Sequence, residues 1–186
     1  MKKIISGLSL IIFMFSVSSG QAYAAEALGF DISGFVDASY TYDDNGDMDS
    51  FNLDQTEINI SKEIEDWASL RFDLQNLPST GANTDDTIIE QGYLTLTAPV
   101  GNGVTFTFGK FNAPIGFELL DPVDMYQFSH ALVFENGLPT NLTGLMASSG
   151  FGEMVDISAY VVNGWDNNPD GNKNKTFGGR IGITPM

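Results

Sequence analysis

The sequence FDISGFVDASYTY, residues 30–42, alternates between two kinds of side chain. Beginning with Phe30 and Ile32, every second position is apolar, aromatic or small, and the positions between them are mostly polar. A period of two is the pattern of a β-strand with one dry and one wet face. The segment is also longer than the roughly five or six residues that strands in soluble proteins usually have.

The same alternation recurs along the chain. It is clear in residues 67–76, 103–110, 152–163 and 176–184. It is weaker in residues 51–61, 87–97 and 141–148. In residues 87–97 the sequence does not show which of the two alternating sets of side chains faces outward, because Leu94 and Leu96 share a face with Glu90. Together these segments predict eight strands.

The segments between the predicted strands alternate in length. Residues 62–66, 99–103 and 149–152 are short, whereas residues 43–50, 78–86, 111–140 and 164–175 are longer and rich in Asp, Asn, Gly and Pro. Short turns at one end and long loops at the other are typical of outer-membrane barrels. We name residues 111–140 the third loop.

The distribution of charge favours the same fold. In the clear strands the apolar face carries no charge except Lys110 at a strand end, and a Lys or Arg facing lipid at the bilayer midplane costs about 2–4 kcal/mol. The sequence therefore predicts an all-β protein, an antiparallel up-and-down transmembrane β-barrel with eight visible strands. A soluble β-sandwich is the alternative, but its strands would be shorter.

The N-terminus has the features of a secretory signal peptide. Lys2 and Lys3 precede an apolar run, and Ala22-Tyr23-Ala24 forms a small-x-small cleavage site. We therefore expect residues 1–24 to be the signal peptide and residues 25–186 to be the barrel domain. The chain has 24 acidic and 8 basic residues and no cysteine. This excess of acid argues against nucleic acid as a partner.

Four short motifs point to a family. They are EQGYLTL (residues 90–96), GKFNAPIGFE (109–118), TGL (143–145, after Pro139) and VVNGWDN (161–167). The chain resembles the β-barrel porins of Gram-negative outer membranes, with the OmpL-like and phosphate-selective-type porins as the nearest match.

The resemblance implies a channel for passive diffusion of small hydrophilic solutes or ions. Its partners would be outer-membrane lipids and lipopolysaccharide, and it would need no cofactor. Porins are often homotrimers, but no part of the sequence indicates an interface.

In porins of this kind the third loop folds inward and narrows the channel. The resemblance thus implies a pore constriction of Glu118, Asp121, Asp124, His130 and Glu135. Carboxylates in a pore favour cations. The loop has no Lys or Arg, which disfavours phosphate selectivity. The polar strand faces predict a pore wall of Asp31, Asp37, Arg71, Asp73, Asp156 and Arg180.

The size of the third loop conflicts with a closed eight-stranded barrel, whose interior is filled by side chains. The chain also ends at Met186, without the terminal aromatic residue typical of such barrels. We therefore expect this chain to be the N-terminal part of a larger barrel and incomplete at its C-terminus.

Other functions find little support in the sequence. The stretch DNNPDG (residues 166–171) matches the start of a calcium loop, but Phe177 stands where the bidentate Glu should be. We therefore expect a polar outer loop there, and no metal site. His130 is the only histidine, so no catalytic site is expected. The alternative to a channel is a small non-transporting outer-membrane or secreted β-protein with a structural or adhesive role.

Overall fold

The computed structural model describes residues 28–43, 48–77, 86–127 and 129–185. Eight β-strands make up most of this part of the chain. They are β1 (Asp31–Asp43), β2 (Met48–Glu65), β3 (Ala68–Leu77), β4 (Asp86–Ala98), β5 (Val104–Asn112), β6 (Asn141–Phe151), β7 (Val155–Val162) and β8 (Thr176–Ile183). The expected signal peptide, residues 1–24, lies outside the described residues.

The strands form one sheet in the order β1-β2-β3-β4-β5-β6-β7-β8, and every neighbouring pair is antiparallel. Each strand therefore pairs with the strands before and after it in the chain, which confirms the predicted all-β, up-and-down arrangement. Within the described residues β1 and β8 are the two ends of the sheet and do not pair with each other. None of the described helices is long and apolar enough to cross a membrane.

The strand boundaries differ most from the prediction in β2, β5 and β6. Strand β2 begins at Met48 and continues to Glu65, so the expected turn at residues 62–66 is reduced to Asp66 and Trp67. Strand β5 continues to Asn112, into the start of the third loop, and β6 continues to Phe151, into the expected turn at residues 149–152. At the end of each of these strands, backbone hydrogen bonds to the next strand extend the ladder past the point where the apolar alternation ends.

The two faces of the sheet have opposite chemistry, and it is the apolar face that is uncovered. We call this the outer face; it exposes Ile32, Val36, Ile58, Leu94, Phe108, Leu145, Ile157 and Ile181. The other, inner face buries polar side chains: Gln55, Glu57, Asp73, Gln75, Glu90, Gln91, Thr107 and Ser158. A soluble protein buries its apolar side chains and leaves charged ones in water, so this sheet has the inverse distribution.

A β-bulge in β4 resolves the parity that the sequence left open. Asp73 pairs with Gln91 and Leu74 pairs with Ile89, so Glu90 is an extra residue without a partner in β3. A bulge shifts the side-chain alternation by one position. Consequently Glu90 and Gln91 both lie buried at the inner face, while Ile89 and Leu94 are exposed on the outer face.

The third loop contains regular structure that the sequence pattern does not predict. It contains a 3-10 turn at Pro122–Asp124 and a short helix, α1 (Leu132–Gly137). Its two ends are held together by a bond from the Ala113 N–H to the Thr140 carbonyl (2.9 Å). Short-range hydrogen bonds in Pro- and Asp-rich loops produce such turns without any hydrophobic periodicity, so the alternation of side chains does not predict them.

Candidate functional site

The pore wall predicted from the sequence can be located through the strand register. Residues directly opposite one another in an antiparallel sheet share a face. Following the pairs from β1 to β8 places Asp31, Asp37, Arg71, Asp73, Asp156 and Arg180 on the inner face. Their burial differs widely, from fully buried Asp73 to exposed Asp31 and Arg180.

One polar group of the inner face is centred on Asp73, whose side chain is fully buried. The Nε of Arg71 donates to both of its carboxylate oxygens at 2.9 and 3.0 Å. The amide of Gln91 donates to it at 2.6 Å and accepts a bond from the Asn112 N–H at 2.9 Å. These hydrogen bonds satisfy the buried carboxylate, so this network fixes the inner face where β3, β4 and β5 meet.

A second ion pair lies on β7 and β8, between Asp156 and Arg180. Both side chains are about half exposed, at 50% and 48%. The carboxylate of Asp156 lies directly over Gly182, where any Cβ would overlap it. The two arginines among the predicted wall residues are therefore each paired with an aspartate.

The predicted constriction residues divide into three groups. Glu118 and His130 make contacts within the third loop: Glu118 accepts from the Ala131 N–H at 2.9 Å, and the His130 ring stacks on Phe134. Asp124 and Glu135 are exposed. Asp121 differs from these, because it lies against acids of the inner face.

Asp121 is brought to the inner face by the 3-10 turn that it precedes, and this turn lies against β1. Carboxylate oxygens of Asp121, Glu57 and Glu90 all lie within 4.8 Å of one another. We call these three residues the acidic cluster. Burial, together with the negative charges of Glu57, Asp124 and Asp73, raises the pKa of Asp121 to about 7.

The sequence does not identify Glu57 as a site residue. It draws attention to Glu90 only because that residue shares a face with Leu94 and Leu96 in the alternation. Glu57 lies on the inner face of β2, opposite Phe35 and Gln75. Neither a motif nor a spacing links residues 57, 90 and 121. The one available signal is the pair Ile88-Ile89 before Glu90, since two adjacent apolar residues interrupt the alternation and mark a bulge.

The far end of the third loop is anchored by Asp166, on the connection between β7 and β8. Its Oδ1 accepts from the Thr140 N–H (2.9 Å), the Thr140 hydroxyl (3.1 Å) and the Asn141 N–H (2.8 Å). Asp170, the other acid of the DNNPDG stretch, accepts from the Asn172 N–H and pairs with Lys175. Both aspartates thus hold loops in place.

Comparison with known families gives one finding. The model of the family described as "Putative beta-barrel porin-2, OmpL-like" matches residues 29–186. A search of curated proteins and a search of solved structures found no match.

Proposed function

Because this chain belongs to the family of OmpL-like β-barrel porins, we propose that it forms an outer-membrane channel for the passive diffusion of small hydrophilic solutes and ions. The observation that carries the proposal is the inverted sheet. Large apolar side chains are uncovered on the outer face, and glutamate, aspartate and glutamine are buried on the inner face. Lipid solvates the first set, and a water-filled interior accommodates the second.

The charges of the inner face favour cations. Arg71 and Arg180 are each bound to an aspartate, and among the described residues the acidic cluster has no basic partner in a salt bridge. An interior with more fixed negative than positive charge concentrates cations and repels anions. The third loop adds Asp124 and Glu135, both exposed.

The third loop acts as the constriction in this proposal. Asp121 and its 3-10 turn reach the inner face, and Asp166 holds the far end of the loop against the β7–β8 connection. A loop held at both ends and in its middle has a defined position, and this lets it set the size and charge limit of the channel.

Single-channel recording in planar bilayers tests the function. Under a KCl gradient at low salt, where charges are least screened, we expect a stable conductance and a reversal potential on the cation-selective side. The double variant Glu118→Gln/Asp121→Asn should move the reversal potential toward zero. Glu118→Gln retains an oxygen that can accept the Ala131 N–H, so the loop keeps this contact.

Glu153→Gln is the matched control, because Glu153 is exposed in the short β6–β7 turn, far along the chain from the loop. It should leave the reversal potential unchanged. Absence of any conductance from correctly folded protein would contradict the channel and favour the non-transporting alternative. An equal reversal potential for the wild type and the double variant would contradict the constriction.

A further inference from the structure

The acidic cluster is an unusual arrangement for three carboxylates. Glu90 is 1% exposed and Glu57 is 3% exposed, and Asp121 is half-buried beside them. Their nearest oxygens lie within 4.8 Å of one another. Like charges this close in a water-poor environment repel strongly, so the cluster requires a positive partner or shared protons.

Four carboxylate oxygens of the acidic cluster are buried and have no hydrogen-bond partner among the described residues. They are Oε2 of Glu57, both oxygens of Glu90, and Oδ1 of Asp121. Buried polar atoms without a partner are rare, and they indicate a bound water or ion. Glu57 illustrates this, since Asn59 donates to its Oε1 while Oε2 remains free.

The basic groups of this region bond to other acceptors. Arg71 directs its Nε to Asp73, and Lys110 donates to the carbonyl of Ile89 at 2.7 Å. Ile89 immediately precedes the bulged Glu90, so Lys110 donates its hydrogen bond to a backbone carbonyl beside the bulge and not to the carboxylates of the cluster. The described residues therefore place three acids together without placing a cationic side chain among them.

We propose that Glu57, Glu90 and Asp121 bind one Ca²⁺ ion that fastens the third loop to the inner face of β2 and β4. Each element supplies one carboxylate. The bulge in β4 is what turns Glu90 inward, and the 3-10 turn supplies Asp121. The site depends on the fold alone, and it would exist whether or not the protein conducts solutes.

The chemistry of the ligands favours Ca²⁺ over other ions. Three carboxylates and no nitrogen or sulfur ligand suit a hard cation, and the chain has no cysteine. Ca²⁺ accepts six to eight oxygen ligands in a flexible geometry, whereas Mg²⁺ gives up its water reluctantly and is usually bound by only one or two carboxylates. A buried cluster of three carboxylates therefore suits Ca²⁺ better.

Titration calorimetry of the full-length protein, folded in detergent and freed of metal, tests the site with CaCl₂ alone. We expect one Ca²⁺ per chain in the wild type. Glu90→Gln and Asp121→Asn should each weaken this binding at least about tenfold, since a carboxylate is lost from the ligand set. Glu135→Gln is the control; it removes an equally acidic but exposed side chain of the same loop and should leave the affinity unchanged.

A thermal unfolding series guards against misfolded variants. Ca²⁺ should raise the melting temperature of the wild type and of Glu135→Gln, but not of Glu90→Gln, because only binding to the folded state stabilises it. The proposal is overturned if the wild type binds no Ca²⁺ up to about 10 mM, well above the range of weak extracellular calcium sites. It is also overturned if Glu90→Gln and Asp121→Asn bind like the wild type, or if Mg²⁺ binds more tightly than Ca²⁺.

Discussion

Replacing Phe108 with arginine places a charge on the outer face at the middle of β5. Phe108 is 65% exposed, and its cross-strand neighbours Leu94 and Leu145 are exposed as well. A strand of about 9–11 residues spans the hydrocarbon core, and β5 has 9 residues with Phe108 at its centre. The substituted side chain would therefore lie near the bilayer midplane.

The expected loss in the free energy of unfolding follows from the depth of this position in the bilayer. Arginine at the midplane of a barrel costs about 2–4 kcal/mol and costs about 0–1 kcal/mol near the interface. Val100 is 64% exposed in the turn between β4 and β5. The position of Val100→Arg is therefore as exposed as that of Phe108→Arg, but it lies at the end of the strands and away from the bilayer midplane. If water surrounded both sites, each exchange would stay within about 0.5 kcal/mol.

Urea titration of both variants folded in lipid vesicles, followed by tryptophan fluorescence, measures this difference. We expect Phe108→Arg to lower the free energy of unfolding by about 2–4 kcal/mol, or roughly 30-fold to several hundred-fold in the folding equilibrium. Val100→Arg should lower it by less than about 1 kcal/mol. Equal, small effects of the two substitutions would refute the assignment of the outer face to lipid.

Three further predictions concern strand β5, the third loop and the β7–β8 connection. Gly109→Ala should lower the urea midpoint by the equivalent of about 1–3 kcal/mol, because Gly109 has φ 136° and its added Cβ would lie 2.8 Å from the Cα of Tyr93. Gly150→Ala is the control, because its added Cβ would make only an ordinary contact, 3.9 Å from the Gly152 carbonyl oxygen. Equal midpoints for the two variants would contradict the reasoning. Asp166→Ala removes the acceptor of three hydrogen bonds to Thr140 and Asn141, so proteolysis should cut the third loop faster than in the control Lys173→Ala, and equal rates would count against the clamp. The hydrogen bond from Lys175 holds the pKa of Asp170 below its ordinary value of 3.8, so the pair is lost as pH falls through the lowered pKa; Lys175→Ala should raise that pKa in an NMR titration, and no change would disprove the contact's role.

The sequence predicted the strands well because alternation is a local property. Residues 30–42 and 176–184 show their two faces directly, and the structure places β1 and β8 at nearly the same positions. Parity in β4 could not be predicted, since a single bulged residue, Glu90, reverses the alternation. The rule that strand faces alternate assumes an unbroken ladder, and nothing in the alternation itself says where the ladder breaks.

The acidic cluster was beyond prediction for a different reason. It joins residues from β2, β4 and the third loop, and their meeting depends on strand register and on a turn at Pro122–Asp124. The predicted constriction set includes both Asp121, whose carboxylate meets two acids of the inner face, and Glu118, whose carboxylate accepts a hydrogen bond from the Ala131 N–H within the loop. Residue type alone does not separate an acid that reaches the wall from one that caps a loop.

The central claim is that lipid covers the outer face and water covers the inner face. Spin labels at Val36, Leu70 and Ile157, compared with labels at the adjacent positions Asp37, Arg71 and Asp156, test it most directly in reconstituted vesicles. The first three labels should collide preferentially with oxygen dissolved in the bilayer, and the second three with a water-soluble nickel reagent. Labels at Val36, Leu70 and Ile157 that neither reagent reaches, or that only the nickel reagent reaches, would contradict the claim.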